Sequence, residues 1–223
     1  MTEYNGQVSV LLFANGIITP GTAVQRALAA GPAPIIVCAD GGALHVRELG
    51  LQPQTIIGDM DSLSSTDVQA FAAAGAQIVK HPPEKDETDL ELALHYCKQL
   101  GAGTVTILGG LGGRFDQTLA NILLLTLPAL ASLRIKLVDG AQTIRLLEPG
   151  FHQIAGAAGD TISLIPLQGA ATGITTRGLQ YALRDEILLS GPARGISNVM
   201  LTGQVEVALG GGLLLLVHTD GRA

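Results

Sequence analysis

From residue 8 to about residue 140, short apolar runs rich in β-branched residues alternate with segments of helical period. Val8–Phe13, Ile35–Cys38, Thr55–Ile57, Gln77–Val79, Thr104–Leu108 and Ile135–Val138 predict strands. Thr22–Ala30, Ala43–Leu49, Ser65–Ala74, Thr88–Leu100 and Phe115–Leu125 predict helices. Strand and helix in alternation imply parallel strands whose crossover helices cover both faces of the sheet. Thr88-Asp-Leu-Glu91 has the form of a capping box, and Leu90, Ala93, Leu94 and Cys97 repeat at helical spacing behind it. Beyond Asp139 the long period disappears and glycine becomes frequent. Strands are predicted at Thr143–Leu147, Thr161–Ile165, Gly173–Thr176, Glu186–Leu189, Val205–Leu209 and Leu213–His218, with Gly210–Gly212 as a tight turn before the last. That texture is an antiparallel sandwich or barrel. The division falls between Asp139 and Thr143, giving a first domain of residues 1–140 and a second of residues 141–223.

Composition narrows the function classes. Hydrophobic residues make up 47% of the 223 and charged residues 14%, so the chain has a large core and is not a disordered segment. A formal net charge of -6, with no Lys/Arg cluster and 3% aromatic residues, argues against a nucleic-acid partner. Met1-Thr-Glu-Tyr-Asn-Gly lacks the basic and apolar regions of a signal peptide, and Leu119–Leu133 is interrupted by Asn121, Thr126 and Pro128, short of a membrane span. No membrane partner and a cytoplasmic location are expected. Cys38 and Cys97 show neither metal spacing nor a disulfide framework, and His45, His81, His95, His152 and His218 share no metal spacing, so all seven are read as structural.

Ligands of open parallel sheets bind outside the carboxyl ends of the strands. Four polar clusters fall there: Asp40-Gly-Gly, Gly58-Asp-Met-Asp-Ser62, Lys85-Asp-Glu-Thr-Asp89 and Gly109-Gly-Leu-Gly-Gly-Arg-Phe-Asp116. Two carboxylates about 4 Å apart repel by roughly 4 kcal/mol at an effective dielectric near 20, so converging acids share protons or hold a cation. Magnesium, a hard ion that takes carboxylate oxygens and bridges to phosphates, suits them. Asp59 and Asp61, two apart in an extended segment, can point to the same side. Each aspartate alone reads sooner as a helix cap or a turn residue; four strand ends together favour the site. The run 109–113 matches neither the P-loop nor the dinucleotide fingerprint. It still exposes backbone N–H groups at a helix start, with Arg114 either a donor fork for phosphate or the partner of a neighbouring acid.

Taken in this order, the four clusters resemble those of the thiamine pyrophosphokinase family. Thr176-Arg-Gly-Leu-Gln-Tyr-Ala-Leu183 and Gly195-Ile-Ser-Asn198 extend the resemblance to the final strands. It implies an α/β protein with an N-terminal parallel-sheet catalytic domain that binds ATP and magnesium. A C-terminal antiparallel β-sandwich would bind thiamine and form a homodimer with active sites between subunits. Carried over by position, Asp59, Asp61 and Asp89 would hold magnesium, and Asp40 and Asp116 would orient phosphates, metal or the attacking alcohol. Lys85, Thr88, Arg114 and the glycines Gly112 and Gly113 would meet the phosphates of ATP, and Gln117, Ser197 and Asn198 would meet thiamine. Met60 stands where many members carry Phe, and Gln117 where many carry His. The chain has no Trp, which some members place in the final strand, and Leu213–Leu216 occupies that region. The implied reaction is transfer of diphosphate from Mg-ATP to thiamine, giving thiamine diphosphate and AMP. A metal-dependent phosphohydrolase and a non-catalytic nucleotide or vitamin sensor are the other classes that acid clusters accommodate.

Overall fold

In the computed structural model, residues 8–29 and 34–222 are described. The predicted helix end at Ala30 and the reading of Met1–Gly6 lie outside them. Two compact units emerge, one drawn from Met1–Thr19 and Arg26–Asp139, the other from Pro20–Gln25 and Gly140–Ala223.

The first unit is built on six strands: β1 (Val8–Phe13), β2 (Ile35–Ala39), β3 (Thr55–Gly58), β4 (Gln77–Lys80), β5 (Ala102–Leu108) and β6 (Arg134–Asp139). They are all parallel, in the order β4-β3-β2-β1-β5-β6. Val10, Leu11, Leu12 and Phe13 are buried in succession, as a strand covered on both faces requires. Helices α1 (Thr22–Leu28), α2 (Gly42–Glu48), α3 (Ser65–Ala73), α4 (Asp89–Gln99) and α5 (Phe115–Leu124) alternate with the strands. Helix α4 packs on β2, β3 and β5 through Leu90, Ala93, Leu94 and Cys97, the face predicted from spacing. The Thr88 hydroxyl accepts from the Glu91 amide, but only half of the predicted capping box forms, because the Glu91 carboxylate lies by His95. A complete box occurs instead at α3, between Ser64 and Asp67.

In the second unit, strands β7 (Gln142–Leu147), β8 (Gly150–Ala155), β9 (Thr161–Arg177), β12 (Gln204–Leu209) and β13 (Gly211–Thr219) run in the antiparallel order β7-β13-β9-β12-β8. Two short strands, β10 (Glu186–Leu188) and β11 (Asn198–Val199), also pair with β9. The two strands predicted at Thr161–Ile165 and Gly173–Thr176 are one strand of 17 residues. Its first half pairs with β13 and its second with β12, and it bends where Gln168 and Gly169 take positive φ. Such a strand passes from one layer to the other. Leu147, Leu214 and Leu216 of one layer meet Ile154, Val205 and Val207 of the other in a shared core. Gly210 alone separates β12 from β13, which flank β9 without pairing with each other, so the predicted tight turn is a corner between layers. Strand β8 escaped the sequence reading because a single residue of its six, Ile154, is buried. Among the described residues no helix is long and apolar enough to cross a membrane.

Asp160 ties the C-terminal strand to its neighbours. Its Oδ1 accepts the Gly221 amide at 2.7 Å, and its Oδ2 accepts the Ala157 amide at 2.8 Å and lies 2.8 Å from His218 Nε2. Burial alone would raise its pKa; the bonds from Gly221, His218 and Ala157 outweigh it and hold the carboxyl below the ordinary value. A folded-state pKa below the unfolded value of about 3.9 contributes stability that is complete at neutral pH and is lost progressively as pH falls from that value through the lower folded one. Asp160→Asn therefore lowers the unfolding free energy by about 2–3 kcal/mol at pH 7. In denaturant titrations at successive pH values the gap to the wild type begins to narrow below about pH 4 and closes only below the folded-state pKa.

Candidate active site

The strand order reverses direction on either side of β1, which makes the crevice between the loops after β1 and β5 the topological switch point. These two loops are knitted together: the Ala14 amide donates to Leu108 O and the Gly16 amide to Gly109 O, each at 2.8 Å. A cleft of about 920 Å³ opens here, and Asp40, Asp59, Asp61, Lys85, Thr88, Asp89, Gly112, Gly113, Arg114 and Gln117 all line it.

Three carboxylates converge at its centre. One oxygen from each of Asp40, Asp59 and Asp89 lies within 4.8 Å of the others. Asp40 follows β2 in a left-handed conformation, φ 43°, and is 3% exposed. Burial pushes its carboxyl above the ordinary value and the charge of Asp89 adds to that, while hydrogen bonds from Ser62 and Gly41 offset only part. Its Oδ1 is buried with no hydrogen-bond partner. The Lys85 ammonium lies 2.9 Å from Asp89 Oδ1 and 3.4 Å from Asp59 Oδ2, with its side chain 11% exposed. Burial alone would lower its pKa, yet the two carboxylates, Asp89 foremost, raise it. Asp59 is held below the ordinary carboxylate range, first by the Asp61 amide at 3.1 Å and then by Lys85. One ammonium against three carboxylates leaves the centre negative.

Gly58, φ 152°, makes the convergence possible. A Cβ there would sit 2.9 Å from Asp40 Cβ and 3.1 Å from Asp89 Cγ, so the absent side chain is the space in which the two acids meet.

Other expected residues are placed differently. The segment Asp59–Ser62 is not extended: Met60 has φ 68° and the chain turns, so Asp61 lies outside the three-carboxylate cluster, its Oδ1 accepting the Ser62 hydroxyl at 3.1 Å. The local bond from the Asp61 amide to Asp59 is what closes this turn. Asp116 is not on the cleft wall; it forms an exposed ion pair with Arg114, Nη2 to Oδ2 2.5 Å, which holds its carboxyl low. Arg114, paired in this way, also borders the cleft. The Thr88 hydroxyl is spent on capping α4. Ser197 and Asn198 belong to the second unit: Ser197 has φ 58°, and the Asn198 carboxamide bonds both backbone groups of Tyr181. Sequence reasoning missed Asn15, Gly16, His45 and Asn121. His45 Nε2 lies 2.7 Å from Gly16 O, and Asn121 Nδ2 donates to Gly110 O at 2.8 Å, each pinning a loop of the cleft. The switch-point rule would have found the β1 loop, had the strand order been known.

This cleft on this sheet defines the class: α/β proteins that take a ligand at the carboxyl edge of parallel strands. A family model for the catalytic domain of thiamin pyrophosphokinase matches residues 28–137, and one for its vitamin B1 binding domain matches residues 151–214. The chain belongs to the thiamine pyrophosphokinase family. It is 28% identical over 181 residues to the thiamine pyrophosphokinase of Bacillus subtilis (strain 168), covering 81% of this chain and 85% of that one. Thiamine pyrophosphokinase 2 of Oryza sativa subsp. japonica is 30% identical over 200 residues, 78% of this chain and 74% of that one. The crystal structure of the Bacillus subtilis enzyme superposes with a TM-score of 0.84 at 25% identity, over 95% of this chain and 99% of that one.

Gly58→Ala forces a side chain into a backbone region reserved for glycine and between two acids. It costs at least about 2 kcal/mol of unfolding free energy. Gly50→Ala, φ 68° with nothing within 4 Å of the added carbon, costs about 1 kcal/mol and serves as the control in urea titrations.

Proposed function

We propose that this protein transfers diphosphate from Mg-ATP to thiamine, giving thiamine diphosphate and AMP. The observation that carries the reading is the meeting of Asp40, Asp59 and Asp89 with Lys85 in one cleft. It stands in a chain whose two halves match catalytic and vitamin-binding family models. The hydroxyethyl oxygen of thiamine forms a bond to the β-phosphorus of ATP. The bond from that phosphorus to the oxygen bridging to the α-phosphate breaks, AMP leaves with its electron pair, and the alcohol releases its proton. Such a transfer asks the protein for positioning and for stabilisation of charge on phosphate oxygens.

The donor set fits a hard divalent ion: carboxylate oxygens only, one of them buried and unpartnered on Asp40. Asp40, Asp59 and Asp89 would hold magnesium, with Asp61 at the rim. When bound, the ion supplies Lewis acidity to phosphoryl oxygens. Lys85 and Arg114 offer cationic donors to the phosphates, and the backbone of Gly112 and Gly113 borders them. Arg114 turns from Asp116 to the substrate at the cost of an exposed ion pair worth little in water. Gln117, Ser197 and Asn198 are assigned to thiamine. The reading extends to a homodimer with active sites between subunits and to the cytoplasm, whose reducing conditions suit the free, buried Cys38 and Cys97.

AMP measured by chromatography from ATP and magnesium, with and without thiamine, tests the reaction. AMP forms only when thiamine is present, and Asp59→Asn reduces its rate on the order of 100-fold or more while the fold persists. AMP formed equally without thiamine would mark a phosphohydrolase, and binding with no turnover a sensor. Lys85 acts as an internal counter-ion in the metal-free protein. Lys85→Met therefore lowers Tm in metal-free buffer, and added magnesium raises the Tm of the variant more than that of the wild type.

A further inference from the structure

Three acids at the cleft have one oxygen tied down within the turn after β3; the other oxygen of Asp40 has no partner, and that of Asp59 faces Lys85. Asp59 Oδ1 accepts the Asp61 amide, Asp40 Oδ2 accepts the Ser62 amide at 3.2 Å, and Asp61 Oδ1 accepts the Ser62 hydroxyl. Ser62 thus serves two of the three. What holds Ser62 comes from another strand: the Asn15 carboxamide, in the loop after β1, donates to Ser62 Oγ at 3.1 Å. Its place is prepared by Gly41, where a Cβ would fall 2.4 Å from Asn15 Oδ1. The chain of donors has a direction. A carboxylate is acceptor-only, and a hydroxyl has a single proton. With the Asn15 N–H donating into the Ser62 oxygen, the Ser62 proton is left for a carboxylate, with Asp61 Oδ1 at 3.1 Å.

We propose that Asn15, acting through Ser62, is a positioning residue: it locks the turn after β3 so that the free oxygen of Asp40 is presented to a bound cation and Asp61 is held at the rim. Asn15 makes no bond to an acid itself. The proposal rests on the reading of the acidic cluster as a divalent-cation site. Partners of this kind around a metal typically change affinity 10- to 100-fold when removed.

The test uses Mn2+ as probe, with free Mn2+ read by electron paramagnetic resonance on the full chain in the presence of ATP. Wild type, Asn15→Ala, Ser62→Ala, the double variant and Asp59→Asn are compared. Asn15→Ala and Ser62→Ala each raise the Mn2+ dissociation constant about 10-fold. The KM for thiamine stays unchanged, and the double variant binds no more weakly than the weaker single one, because both act along one chain. A folded Asn15→Ala with wild-type Mn2+ affinity, or losses that multiply in the double variant, overturns the positioning role while the loss of binding in Asp59→Asn keeps the cation site. A wild type that binds Mn2+ no better than Asp59→Asn removes the cation site and the positioning role together. Should Asn15→Ala not fold, Ser62→Ala, which keeps the backbone amide to Asp40, gives the same decision.

Discussion

Like charges brought within a few ångströms of one another are the constraint around which the first unit is arranged. Oxygens of Asp40, Asp59 and Asp89 within 4.8 Å repel by about 3–4 kcal/mol per charged pair at an effective dielectric near 20. The fold offsets this repulsion in three ways: Lys85 bridges two of the acids, burial favours the neutral form of the third, and backbone amides satisfy one oxygen at a time. The residual negative potential is what a metal-bound triphosphate would meet. Converging acids of this kind either share protons or are relieved by a cation.

Such a cluster needs a rigid frame, and the parallel sheet supplies it. The three acids come from the ends of β2 and β3 and the start of α4, and each element is anchored in the core by fully buried residues such as Cys38, Ile57 and Leu94. The approach of these elements is set by small residues at the rim. Gly58 lets two acids share one space, and Gly41 admits the Asn15 carboxamide. The second unit obeys a different logic, in which one long strand serves two layers and Asp160 secures the end of the chain.

Much of this was legible one residue at a time. Short apolar runs locate β1, β2 and β5, which are buried nearly throughout, helical spacing locates α4, and acid after four strand-like runs marks the cleft edge. The second unit was less legible, since strands such as β8 owe their existence to hydrogen bonds with a distant partner rather than to a buried stripe of their own. Among the site residues, Asp40, Asp59, Lys85 and Asp89 stood out by charge in an apolar chain. Asn15, His45 and Asn121 did not, because an amide or an imidazole that pins a loop has no local pattern.

The sequence by itself determined the order of elements, the acidic character of the strand ends and the family resemblance, since these rest on residue type and spacing along the chain. Only the tertiary structure decided which acids share a centre. It replaced Asp61 by Asp40 in the innermost cluster, because the left-handed backbone at Met60 turns Asp61 aside while the pairing of β2 with β3 carries Asp40 in. It likewise set Asp116 apart against Arg114. Distances between loops follow from strand pairing, and strand pairing is a property of the folded sheet rather than of any one segment.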